Sequence, residues 1–108
     1  MHNELMRYVV LEHVQTHGTH FDLMLEVKGQ ELLRTIQLER WPLPPGESCR
    51  AIEIAAHRAA YLTYEGEVSG GRGHVRRIEA GTWSGNLTLR PDTGPAQTLR
   101  FEDGRMFA

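Results

Sequence analysis

Arg7-Tyr8-Val9-Val10-Leu11-Glu12-His13 and Phe21-Asp22-Leu23-Met24-Leu25-Glu26-Val27, with Gly18 between them, decide the fold. The first stretch is β-branched and aromatic, a composition that favours strand. The second places Phe21, Leu23 and Leu25 on one side and His20, Asp22, Met24 and Glu26 on the other, a period of two that marks a strand. Lys28-Gly29-Gln30 is a tight connection, and residues 31–38 return as the second arm of a hairpin.

Outward from this hairpin the chain reads as short strands between turns. Trp41-Pro42-Leu43-Pro44-Pro45-Gly46 lacks three backbone donors and is expected as a loop over the surface, with apolar area around Trp41 open to a partner. Residues 50–60 carry helix-favouring alanines but a strand period. Ile52, Ile54 and Ala56 fall on one face, Glu53 and His57 on the other, so a strand is expected to about His57, with irregular backbone beyond. Gly66 and Ser69-Gly70-Gly71-Arg72-Gly73 mark turns. Residues 74–79 form a strand ended by Gly81, residues 87–90 another, and residues 98–102 and 105–108 a closing hairpin across Asp103-Gly104. Turn signals about every ten residues predict an all-β barrel or sandwich of short strands.

Composition bounds the function. The 108 residues suit a single domain with a small core, with the first five expected to be disordered, His2 among them. No apolar run is long enough for a bilayer helix, and Met1-His2-Asn3-Glu4 lacks the form of a secretory signal. A lone Cys49 has no internal disulfide partner, which fits a reducing cytoplasm. A net charge of −2 excludes a general polyanion coat. Eleven Arg against one Lys reflect either genomic composition or bidentate phosphate recognition.

The chemistry-bearing stretch is His13-Val14-Gln15-Thr16-His17-Gly18-Thr19-His20-Phe21-Asp22. His20 and Asp22 share a strand face, and His13 comes alongside across the connection. Two imidazoles and a carboxylate with open positions suit Mn, Fe or Zn. His17 reads as an exposed loop residue. His57, with Arg40 and Arg50 nearby, supplies parts for holding and protonating a phosphate. The glycine run at 69–73 is either an anion cradle or a flexible turn. Tyr61 and Tyr64 are either core or site-closing.

Order and spacing over residues 7–108 resemble the 3′-phosphoesterase domain of bacterial DNA ligase D, which also occurs as a stand-alone protein. That family opens with a strand and H-x5-H-x-D-x-R. A hairpin and two basic residues follow, then an H-x3-Y-x3-E-G element, a glycine-rich segment and a strand ending in G-T-W. The matching residues here are His13, His20 and Asp22; Arg40 and Arg50; His57, Tyr61, Glu65 and Gly66; and Gly81-Thr82-Trp83. The resemblance implies a compact β-barrel of mostly antiparallel strands with irregular loops. It also implies trimming of DNA or DNA/RNA 3′ ends to a 3′-hydroxyl. His13, His20 and Asp22 would hold a divalent metal, Mn2+ first and Zn2+ or Co2+ as alternatives. His57, Arg40, Arg50 and Tyr61 would attend the scissile phosphate. A monomer acting beside a DNA ligase or polymerase, in DNA repair, is the implied setting.

Four positions depart from the pattern. Six residues separate the first two histidines, Met24 replaces the family arginine, Ala55 replaces an acid, and the glycine-rich segment is shorter. Arg72 or Arg76 is the available substitute for the missing guanidinium. The departures leave room for a non-catalytic module that binds DNA ends or a phosphorylated ligand, and a purely structural barrel is the remaining alternative.

Overall fold

The structure, a computed structural model, describes residues 5–108; residues 1–4, His2 included, lie outside it. Among the described residues ten strands are present: β1 (Met6–Gln15), β2 (Gly18–Leu25), β3 (Leu32–Leu38), β4 (Ser48–Arg58), β5 (Gly66–Glu67), β6 (His74–Ser84), β7 (Thr88–Pro91), β8 (Gln97–Thr98), β9 (Arg100–Glu102) and β10 (Arg105–Phe107). A 3-10 turn at Ala59–Leu62 follows β4. Among the described residues no helix is long and apolar enough to cross a membrane.

Nine strands follow one antiparallel path, β8-β7-β6-β1-β2-β3-β4-β10-β9, and β5 attaches to β6 beside it. The two ends of that path are consecutive in the chain, with Leu99 alone between them. The Leu99 N–H donates to the Leu87 carbonyl at 3.0 Å, and its side chain is buried in the core. The sheet thereby curls into a nearly closed, all-β antiparallel barrel. Residues 98–102, expected as one strand, are split here because their two halves pair with opposite ends of the sheet.

Alternation explains which side chains fill the barrel. Tyr8, Val10, Leu23, Leu25, Ile36 and Leu38 face inward. The opposite parity of the same strands is buried as well. Val9, Leu11 and Met24 form a second cluster under Leu62 and Val68, which the segment after β4 lays over the outside of the sheet. The proline loop is a loop as expected, but Trp41 and Leu43 plug the barrel interior instead of offering a contact surface. The Trp41 Nε1–H and the Tyr8 hydroxyl both donate to the Glu79 carboxylate, at 3.1 and 2.6 Å.

Two β-bulges reset the alternation. In β6 the pairing passes from Leu11–Arg77 to Val10–Glu79, leaving Ile78 as the extra residue. The skip turns Trp83 into the barrel while Val75 stays in the outer cluster. In β4 the pairing passes from Thr35–Ile54 to Leu33–His57, with one extra residue on the β4 side. His57 therefore shares a face with Ile54 and Ile52, not with Glu53, against the plain alternation read from the sequence. Nor does Gly81 end its strand: β6 continues to Ser84 because Gly81 lets β7 press against it. A Cβ at Gly81 would lie 2.1 Å from the Arg90 carbonyl oxygen. Gly81→Ala should therefore destabilise the fold by about 1–3 kcal/mol in urea unfolding, as overpacking does.

Arg7 and Glu26 pair at 2.9 Å, and Arg34 and Glu53 at 2.9 Å, on the barrel surface. Hydrogen bonds from Arg7 and from Arg34 hold the Glu26 and Glu53 carboxyls below the usual carboxylate range. A depressed folded-state value stabilises above the unfolded value of 4.5 and is lost as pH falls through the folded one. Wild-type protein should therefore exceed the Glu26→Gln/Glu53→Gln double variant in urea midpoint at pH 6, with the difference shrinking toward pH 3.

Candidate functional site

The β1–β2 hairpin turns through Thr16-His17, and its register opposes Val9 to Met24, Leu11 to Asp22 and His13 to His20. Directly opposed residues of an antiparallel pair project from the same face. The three rungs form one strip on the outer face, apolar at its Met24 end and ending in two imidazoles and a carboxylate. The His13 and His20 rings meet edge to face, with centroids 4.7 Å apart. His13 Nδ1 lies 3.7 Å from Asp22 Oδ2, and His20 Nε2 lies 3.4 Å from Asp22 Oδ1. One ligand atom from each of the three residues falls within 4.8 Å of the other two.

The surroundings of this cluster matter as much as its distances. Asp22 is only 3% exposed, and its Oδ1 accepts no hydrogen bond. Leaving a buried acceptor unsatisfied costs about 1–3 kcal/mol, and more for a charged group. His13 Nε2 lies 2.7 Å from the Arg72 carbonyl oxygen. A carbonyl can only accept, so Nε2 carries the proton and Nδ1 keeps its lone pair toward Asp22. This is how ligating histidines are oriented in metal sites, by a backbone acceptor on the far nitrogen. Two imidazoles and a carboxylate form a donor set that divalent transition metals accept with positions left open.

Gly73 makes that orientation possible. Its φ is +86°, and a Cβ there would lie 2.0 Å from the Val14 carbonyl oxygen. Only a glycine lets the loop approach β1 closely enough to bring the Arg72 carbonyl to His13. The loop closes on itself through the Val68 N–H to the Gly73 carbonyl, at 2.7 Å. Of the two readings of the glycine run, the structure displays the turn.

The remaining expected residues divide. His57 lies on the same outer face, beyond the Met24–Thr35 rung. The Thr35 hydroxyl donates to the Leu33 carbonyl at 3.0 Å, so it accepts from His57 Nδ1 at 3.1 Å. Among the described residues His57 Nε2 has no hydrogen-bond partner. Tyr61 abuts the His57 ring edge-on at 5.7 Å, and Tyr64 abuts Tyr61 in the same way. Arg50 is on the same face, two strands from His20 with Glu39 between, a separation of roughly 10 Å at normal strand spacing. Arg40 is engaged elsewhere: it donates to the Ser48 carbonyl at 2.8 Å and pairs with Glu47 at 3.0 Å. His17 is exposed at the hairpin tip, as expected.

Arg72 and Arg76, the expected substitutes for a guanidinium at position 24, are both engaged elsewhere. Arg72 folds back onto Ser69, and Arg76 pairs with Glu12 on the face opposite His13. Met24 itself is 1% exposed, a component of the outer core. Thr35 and the Arg72 carbonyl were missed by the sequence reading. Thr35 acquires its role only through the β4 bulge, and a backbone carbonyl leaves no side-chain signature.

No family model matches this chain, and no curated protein matches it significantly.

Long-range 1H–15N NMR at neutral pH should show the neutral His13 ring protonated at Nε2 and the neutral His57 ring at Nδ1. Thr35→Val should erase the His57 preference and leave that of His13 unchanged.

Proposed function

We propose that the chain is a divalent-metal-dependent phosphoesterase that processes the 3′ ends of DNA, or of DNA ending in a ribonucleotide. The observation that carries this reading is the convergence of His13, His20 and Asp22, with a buried carboxylate oxygen that no protein donor satisfies. The resemblance to the 3′-phosphoesterase domain of DNA ligase D supplies the substrate class, and the presence of His57 and Arg50 on the same face supports it. His13, His20 and Asp22 would hold the metal, Mn2+ first, with Zn2+ or Co2+ as alternatives. When bound, the metal supplies a Lewis acid for a phosphate oxygen.

The protein's own groups divide the remaining work. His57 presents Nε2, so a protonated ring donates to the leaving 3′ oxygen while Thr35 and Tyr61 fix its plane. Arg50 is the nearest guanidinium on this face to neutralise nucleic-acid phosphate charge, while Arg40 is committed to Ser48 and Glu47. The P–O bond to the 3′ carbon's oxygen breaks, water supplies the new P–O bond, and the nucleic acid leaves with a 3′-hydroxyl. A net charge of −2 confines contact with nucleic acid to this local patch. The setting is cytoplasmic DNA repair, as a monomer beside a ligase or polymerase.

Incubation with Mn2+ and a primer–template ending in a 3′-phosphate or a single ribonucleotide should yield a 3′-hydroxyl end. Metal charge stabilisation is worth several kcal/mol, so His20→Ala and Asp22→Ala should each lower kcat at least about 100-fold. Saturating Mn2+ should raise the Tm of wild type and leave that of Asp22→Asn unmoved. An unchanged 3′ end together with an unmoved wild-type Tm would sink the proposal. One observation favours a second reading, a module that binds 3′ ends without turnover. Met24 is buried where the family carries its phosphate-side arginine, and Arg72 and Arg76 are engaged with Ser69 and Glu12. That reading is favoured if metal raises Tm and salt-sensitive binding is present while the 3′ end stays intact.

A further inference from the structure

Arg50 and Arg105 are directly opposed across β4 and β10. Both face outward, because their neighbours Ala51 and Met106 are buried in the barrel. Like charges opposed in this way repel each other. Arg105 donates to the Ser48 hydroxyl at 3.0 Å, and among the described residues it has no carboxylate partner. The Arg50 guanidinium forms a long ion pair with Glu39 at 3.7 Å, and its side chain is 81% exposed. A guanidinium with no carboxylate partner, beside one whose only ion pair is long and solvent-exposed, forms a receptor for an anion.

An open groove leads to this pair. Gln37, Glu39, Arg50, Ala51, Ile52 and Gly104 line it, its walls are mostly apolar, and Ile52 is 60% exposed. The register connects the groove to the candidate metal site: Gln37 stands opposite Asp22 on one side and Ile52 on the other. The groove therefore starts at Gln37, across the register from Asp22, crosses β3 and β4, and ends at Gly104, next to Arg105 in the chain. The span from His20 to Arg105 is three strand spacings, roughly 14 Å. That is too far for one phosphate to touch both ends.

Taking the proposed function as its premise, we infer that this groove carries the nucleic-acid strand leading to the 3′ end. Arg50 and Arg105 together grip a backbone phosphate upstream of the terminal one, and Ile52 underlies the sugar or base between them. Arg105 is thus a specificity-determining residue: it selects a polynucleotide end over a single nucleotide. The alternation of anionic phosphates with apolar sugar and base faces matches the alternation of guanidinium pair and isoleucine.

The test is fluorescence anisotropy with a labelled single-stranded DNA bearing a 3′-phosphate, titrated in EDTA at several salt concentrations. Arg105→Gln should raise Kd about 5–10-fold and reduce the slope of log Kd against log salt by about one. Its Tm should not fall, since the substitution removes a repulsion. Arg105→Lys should keep the slope and weaken binding less, because the charge survives without the fork. No binding by wild type, or a Kd and slope indifferent to Arg105→Gln, would overturn the inference. So would equal, Arg105-dependent binding of poly-glutamate. Because EDTA removes catalysis, the outcomes separate. Binding through Arg105 without Mn2+-dependent turnover keeps the groove and defeats the enzyme reading, and turnover with Arg105-independent binding does the reverse.

Discussion

The constraint on which the rest of the structure depends is that the β1–β2 hairpin is buried on both faces. One parity of its residues fills the barrel and the other fills the outer cluster beneath Leu62 and Val68. A strand buried on one side tolerates some slack in register, but here a slip of one residue would exchange two different cores. The pairing of Val9 with Met24 is therefore fixed by packing. With it come the pairings of Leu11 with Asp22 and His13 with His20. The polar cluster is held in place by the same contacts that stabilise the fold, and the apolar rungs supply the rigidity that the imidazoles and the carboxylate share.

How much of this was legible depends on whether period two survives along the strand. In β1 and β2 it does, so the hairpin, the shared face of His20 and Asp22 and the approach of His13 could all be read from residue order. In β4 and β6 it does not. Each bulge inserts one residue with no compositional mark, the one in β4 within an alanine-rich segment. His57 consequently changes face relative to the reading, and Trp83 enters the barrel. Trp41 escaped for another reason. Prolines announce that a segment cannot join a ladder, but they do not say whether the loop lies on the surface or dips into the barrel. Residues 98–102 looked like one strand because local propensity cannot register that a sheet closes at that point.

The methionine at position 24 suits the compartment it occupies. Covering the outer face with Leu62 and Val68 creates an apolar compartment, and a buried guanidinium would be costly there without a paired anion. The methionine fills the space under this cover. The guanidiniums of this face, Arg50 and Arg105, stand instead on later strands, where β4 and β10 meet and the surface is open. The site is thus divided: a tightly packed end that orders the histidines and Asp22, and an exposed end that carries the positive charge.

The closure at Leu99 has a consequence for how molecules of this protein behave toward one another. An open nine-strand sheet would present two long rows of unpaired amides and carbonyls, each a template for a foreign strand. Here the terminal strands β8 and β9 are two and three residues long. They are tethered by a single residue whose side chain is sunk in the interior. Too little free edge remains to seed strand addition, so the barrel can keep a concentrated apolar interior and a nearly neutral surface without inviting edge-to-edge aggregation.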